Sequence, residues 1–84
     1  GKIKLKTDEQ VTFEFNKKNY DFCRTNWGFY ASPSINSRLK KEGFKIGVFK
    51  NKENKRYILV VDRDKIKTFK IFLKETKHSL INWL

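Results

Sequence analysis

The sequence predicts a small α+β domain, an antiparallel sheet of four or five strands with two helices on one face. Three observations carry that prediction. Apolar and polar residues alternate at 2–6 and 11–15, Phe44, Ile46 and Val48 share one face of 44–50, and 56–62 carries a continuous apolar run. Two longer segments, 32–42 and about 64–76, space their apolar residues at the helical period. The resulting order is β(β)αββα(β). Counting the second N-terminal strand as the first of the core gives β-α-β-β-α-β, the ferredoxin-like, split βαβ pattern.

Each element has its own justification. Residues 2–6, K-I-K-L-K, alternate strictly, as do residues 11–15, V-T-F-E-F. Each reads as a strand with one apolar face. Thr7-Asp8-Glu9-Gln10 between them suits a hairpin loop, and Asn16-Lys17-Lys18-Asn19 breaks the alternation and opens a loop. The first helix is expected over 32–42. Ser32 suits the N-cap, and Pro33 suits the first helical position, where its missing N–H is harmless. Ile35 and Leu39 share a face, Gly43 supplies a left-handed C-cap, and Phe44 can fold back on the last turn. The strand that follows carries Phe44, Ile46 and Val48 on one face, and Asn51-Lys52-Glu53-Asn54 forms a polar turn. Residues 57–61, Y-I-L-V-V, make the most apolar strand, expected at the centre of the sheet. Asp62 or Asp64 caps a second helix that buries Ile66, Phe69, Phe72 and Leu73 and runs to about Thr76. The closing S-L-I-N-W-L suits one more strand.

Length and composition bound the function classes. At 84 residues the chain reads as one domain, 1–84, either whole or cut from something longer. Cys23 stands alone, so no intrachain disulfide can form, and a reducing compartment is favoured. One Cys and one His (His78) cannot close a four-ligand zinc site, so no metal and no cofactor are expected. No apolar run reaches the roughly 18 residues of a membrane span, and no signal-peptide core is present. A cytoplasmic location without a membrane partner is the corresponding expectation.

The net charge of +11 is the strongest functional signal. Such a surface attracts polyanions, RNA or DNA first among them. An AT-rich coding bias also enriches Lys, Asn, Ile and Phe and competes as the explanation. Lys67, Lys70, Lys74 and Lys77, spaced three, four and three apart, fall on one helical stripe, which nucleic-acid phosphates would relieve of its repulsion. The turn after the third strand adds Lys50, Lys52, Lys55 and Arg56, and the first helix adds Arg38 and Lys41. A solvated helix face and an ordinary polar turn are the competing readings.

The segment N-W-G-F-Y-A-S-P-S-I-N, residues 26–36, is the least ordinary. Aromatic rings inside a basic groove stack on bases, and Tyr30, Trp27 and Tyr57 are the candidates. For Trp27 and Phe29, packing in the core or stapling the helix entry is the stronger expectation in so small a chain. Ser32 and Ser34 at the helix N-terminus, flanked by Arg24, form a candidate anion pocket.

Catalytic signatures are sparse, with no Gly-rich phosphate loop and no nucleophile elbow. The fragment L-K-K-E-G-F-K followed by a hairpin resembles, over about a third of the chain, the HicA-type toxins that cut messenger RNA. Those place a His in the hairpin strand, where this chain has F-K-N-K-E-N-K-R-Y-I. The leading expectation is a non-enzymatic module that binds RNA or single-stranded DNA with weak sequence preference. One alternative is a protein-interaction or regulatory domain that buries its aromatics against a partner or a second copy. The other is a small basic ribonuclease, in which Arg56, Tyr57 or His78 would be required.

Overall fold

The structure is a computed structural model that describes all residues from Gly1 to Leu84. Its contacts group into two units, Gly1–Glu42 and Gly43–Leu84. The fold class is α+β as expected, but the ferredoxin-like single sheet is not what forms. Six strands build two separate antiparallel sheets of three.

In the first unit β1 (Gln10–Phe15), β2 (Lys18–Thr25) and β3 (Gly28–Ala31) form a meander in the order β1-β2-β3. The loop expected at 16–19 is a tight turn at Asn16-Lys17, with φ of 49° and 64°. Two successive positive φ values match the twist of antiparallel strands and let β2 fold straight back on β1. Because closing so short a loop costs little entropy, β1 finds its partner locally. It therefore never serves as the first strand of a larger sheet.

Residues 2–6 form no strand. Their backbone is held by a turn and by Arg24 instead. Lys6 N–H donates to Glu9 Oε1 at 2.6 Å, and Arg24 Nη1 donates to the Leu5 carbonyl at 3.0 Å. Alternation alone does not make a strand: the backbone of Leu5 and Lys6 is tied to Arg24 and to the Glu9 side chain rather than to a strand edge.

The helix expected over 32–42 shrinks to α1 (Arg38–Lys41). Ser32 does not cap it: its N–H and its hydroxyl both donate to the Asp21 carbonyl, at 3.0 and 3.4 Å. Ser37 stands at the N-cap without a side-chain bond, and the Ser34 hydroxyl accepts from Arg38 N–H at 2.9 Å. Gly43, at φ 86°, ends the helix as expected. Leu39 is fully buried.

The second unit orders its strands β5-β4-β6, with β4 (Phe44–Lys50), β5 (Arg56–Asp62) and β6 (Ser79–Trp83). A 3₁₀ turn (Arg63–Lys65) leads into α2 (Ile66–Thr76). The expectation of a central β5 is corrected. β4 is central because β6 returns to its free edge, and β5 is left at the margin with Ile58 65% exposed. The expected apolar face of β4 is also not the one α2 covers. Phe49, wholly buried, meets the Phe69 ring of α2 at 5.3 Å and the Trp83 ring at 5.4 Å, both edge to face. Gly47 shares that face. A Cβ there would lie 2.9 Å from both the Phe49 and the Trp83 rings, so the residue must be glycine for the rings to close over it. Phe72, expected to be buried, stays exposed and stacks on His78 with ring centroids 5.7 Å apart.

Candidate nucleic-acid interface

The register of the first sheet sorts its residues into two faces. Thr12, Asp21, Cys23 and Tyr30 share one, and Val11, Phe13, Phe22, Phe29 and Ala31 share the other. On the first face Asp21 is almost completely buried and pairs with the Arg38 guanidinium. The hydroxyl of Thr12, the Arg38 side chain and the Ser32 hydroxyl hold the Asp21 carboxyl below its ordinary range, against the opposing effect of burial. This pair anchors α1 to the sheet. It also engages Arg38, which the sequence suggested for phosphate contact.

The β2–β3 hairpin presents the W-G-F-Y segment. Thr25 stands opposite Gly28, and the Thr25 hydroxyl donates to the Gly28 carbonyl at 3.0 Å. Gly28 has φ 149°, open to glycine and strained for a side chain, although a Cβ would meet nothing there. The turn holds Trp27 outward at 71% exposure, stacked on Tyr30 with centroids 6.1 Å apart and planes 23° apart. Phe29 points to the opposite face, 63% exposed, with the Arg24 guanidinium 5.7 Å from its centroid. The expectation that Trp27 and Phe29 plug the core or staple the helix is therefore corrected. The core of this unit is too thin to enclose them, since α1 has only four residues to lay over the sheet. A hydrogen bond with Cys23 pushes the Tyr30 phenol above its ordinary pKa.

The anion pocket expected from Ser32, Ser34 and Arg24 does not assemble. Ser32 is spent on the Asp21 carbonyl, Ser34 on the Arg38 N–H, and Arg24 on the carbonyls of Leu5 and Thr25. A helix of four residues also lacks the aligned dipoles that would attract an anion.

The basic candidates of the second unit are exposed. At the β4–β5 turn, Asn51 Oδ1 accepts from the N–H groups of Glu53 and Lys55, both at 3.0 Å, and Asn54 takes φ 63°. This side-chain cap fixes a turn that displays Lys50, Lys52, Lys55 and Arg56 to solvent. Lys55 lies 3.8 Å from Glu53 in an exposed pair of little energetic weight. On α2, Lys67, Lys70 and Lys74 are exposed along one flank. Lys77 leaves that stripe: it is the left-handed C-cap, φ 55°. Lys41 is exposed on α1, and Tyr57 is partly exposed with its ring 5.6 Å from His78.

A groove in the second unit went unread in the sequence. Lys45, Arg63, Ile66, Lys70 and Trp83 line a cavity of about 570 Å³. The Lys45 ammonium lies 4.1 Å from the centroid of the Trp83 ring. The sequence signal for the groove is Lys45, a lysine set between Phe44 and Ile46 inside β4. Only the placement of β6 beside β4 brings Trp83 to it.

Cys23 and His78 are each held within their own unit. Cys23 donates to Gln10 Oε1 at 3.3 Å, and His78 Nδ1 lies 2.7 Å from the Thr76 hydroxyl. No helix is long and apolar enough to cross a membrane. Compared with protein-family models, with curated proteins and with solved structures, the chain has no significant match.

Proposed function

We propose that this chain binds single-stranded nucleic acid, RNA or DNA, as a non-enzymatic module of weak sequence preference. The observation that carries the reading is the stacked, solvent-exposed Trp27–Tyr30 pair on a chain of net charge +11. A flat, rigid aromatic platform held out by a two-residue turn suits a base, because every base has a face that can stack. Stacking alone would not select nucleic acid over other flat ligands. The net charge of +11 supplies that selection, since a basic chain draws phosphates.

Charge is distributed unequally. The second unit has eleven basic and four acidic residues, net +7, against nine and five, net +4, in the first. Coding bias raises lysine everywhere, whereas a concentration of cations on exposed positions of one unit suits an anionic ligand.

A second reading has an observation of its own. Phe13 and Phe15 are 49% and 59% exposed on β1, an edge strand. An apolar edge of this kind suits a protein interface.

Fluorescence anisotropy of a labelled single-stranded RNA, at low and at physiological salt, tests the proposal. The expected result is saturable binding that weakens steeply with salt and is reduced in Trp27→Ala. No binding at low salt overturns it. A mass that rises with protein concentration would then support the interface reading.

A further inference from the structure

We propose that the groove between α2 and the β4–β6 pair is a phosphate site that takes a nucleotide-type ligand, a phosphate monoester bearing a flat apolar group. The site lies within the second unit and does not rest on the stacking hairpin of the first.

Three cations from three different elements converge there: Lys45 from β4, Arg63 from the 3₁₀ turn and Lys70 from α2. No carboxylate lines the groove. Lys45 is the half-buried member of the three, on the central strand. Its ammonium lies over the face of Trp83 at 4.1 Å, which holds the charge at the groove. A bound anion would pair with all three cations. The arrangement suits phosphate in particular, because Arg63 can offer paired N–H donors while the two lysines act as point charges.

The remaining walls are apolar, Ile66 and the indole of Trp83. A volume of about 570 Å³ exceeds what a bare phosphate needs and lies within the usual range for small organic ligands. A ligand whose charged end meets the three cations and whose flat end lies against Ile66 and Trp83 uses both halves. Free nucleotides and the phosphorylated end of a nucleic-acid strand share this chemistry.

The test is an NMR titration of the whole chain, following the indole N–H signals of Trp27 and Trp83, with Trp83→Phe used to assign them. The probes are adenosine monophosphate, inorganic phosphate and adenosine, at constant ionic strength. The expected result is a saturable shift of the Trp83 signal with the monophosphate, weaker binding of phosphate, and no response to adenosine. Lys70→Gln and Arg63→Gln, both at exposed positions, should each weaken the monophosphate by about tenfold. Equal shifts from adenosine and the monophosphate would overturn the site, as would unchanged affinity in both variants or no saturable shift at any probe. Comparing an oligonucleotide with and without a 5′-phosphate identifies the source. A preference for the phosphorylated end means the site reads strand termini, and equal binding of the two assigns it to free nucleotides.

Discussion

Replacing Asp21 by Asn tests the keystone of the first unit. The Asp21 side chain is 4% exposed, while the Arg38 side chain that pairs with it is 46% exposed. The asymmetry sets the magnitude. A fully buried pair broken on one side costs about 3–5 kcal/mol, but here Arg38 can turn to water once the charge is gone. Asparagine keeps the shape and an acceptor for the Thr12 hydroxyl, so the loss is that of charge assistance in one or two hydrogen bonds, about 1.5 kcal/mol. For a domain of this size that lowers Tm by about 6–12 °C. The pH dependence discriminates further. Thr12, Arg38 and Ser32 depress the folded-state pKa of Asp21 below the unfolded value of about 3.9. The stabilisation is therefore complete above that unfolded value and disappears as pH falls through the folded value. Thermal melts followed by circular dichroism at pH 7 and near pH 2 should show a wide gap between wild type and Asp21→Asn at the first pH and a narrow one at the second. A gap that stays constant across that range would refute the assignment of the effect to the Asp21 charge, and an unchanged Tm at pH 7 would refute the keystone itself.

Other perturbations probe the second unit and the proposed interface. Phe49→Ala empties the site where the Phe69 and Trp83 rings meet and should cost about 3–5 kcal/mol, read by urea denaturation. Gly47→Ala drives a methyl group to within 2.9 Å of two rings and 3.2 Å of the Asn82 carbonyl; about 1–3 kcal/mol should be lost in the same assay. In RNA binding, Lys67→Gln with Lys74→Gln should flatten the slope of log affinity against log salt by about 0.7 for each lysine that neutralises a phosphate, with Tm nearly unchanged. Trp27→Ala should weaken a single-stranded ligand by about 1–3 kcal/mol at constant salt, measured by anisotropy, with little change in stability because the ring is exposed.

Local chemistry was legible in the sequence wherever an element is decided by its own residues. The alternation of 11–15 and 44–50, the helical spacing from Ile66 to Leu73 and the left-handed Gly43 all form as their side chains dictate. Net charge and the exposure of most lysines follow from composition in the same way. Partnership between elements was not legible, because it depends on which edges are left free. Residues 16–19 read as a loop opening, and Lys18–Thr25 shows no strand pattern of its own. It becomes the central strand of a sheet because a turn with two positive φ values at Asn16-Lys17 folds it onto β1. The K-I-K-L-K stretch has a strand's pattern, yet the backbone of Leu5 and Lys6 bonds to Arg24 and to the Glu9 side chain instead of to a strand. The W-G-F-Y segment supplied the candidate ligands for stacking, yet only the shortness of α1 left Trp27 and Phe29 outside the core. The groove of Lys45, Arg63, Lys70 and Trp83 draws on residues up to 38 positions apart and exists because β6 returns to β4. Side-chain pattern settles β1, β4, β5, α2, β6 and the net charge. The tertiary structure decided which faces meet, since hydrogen-bonding edges and apolar faces are satisfied between segments rather than within them.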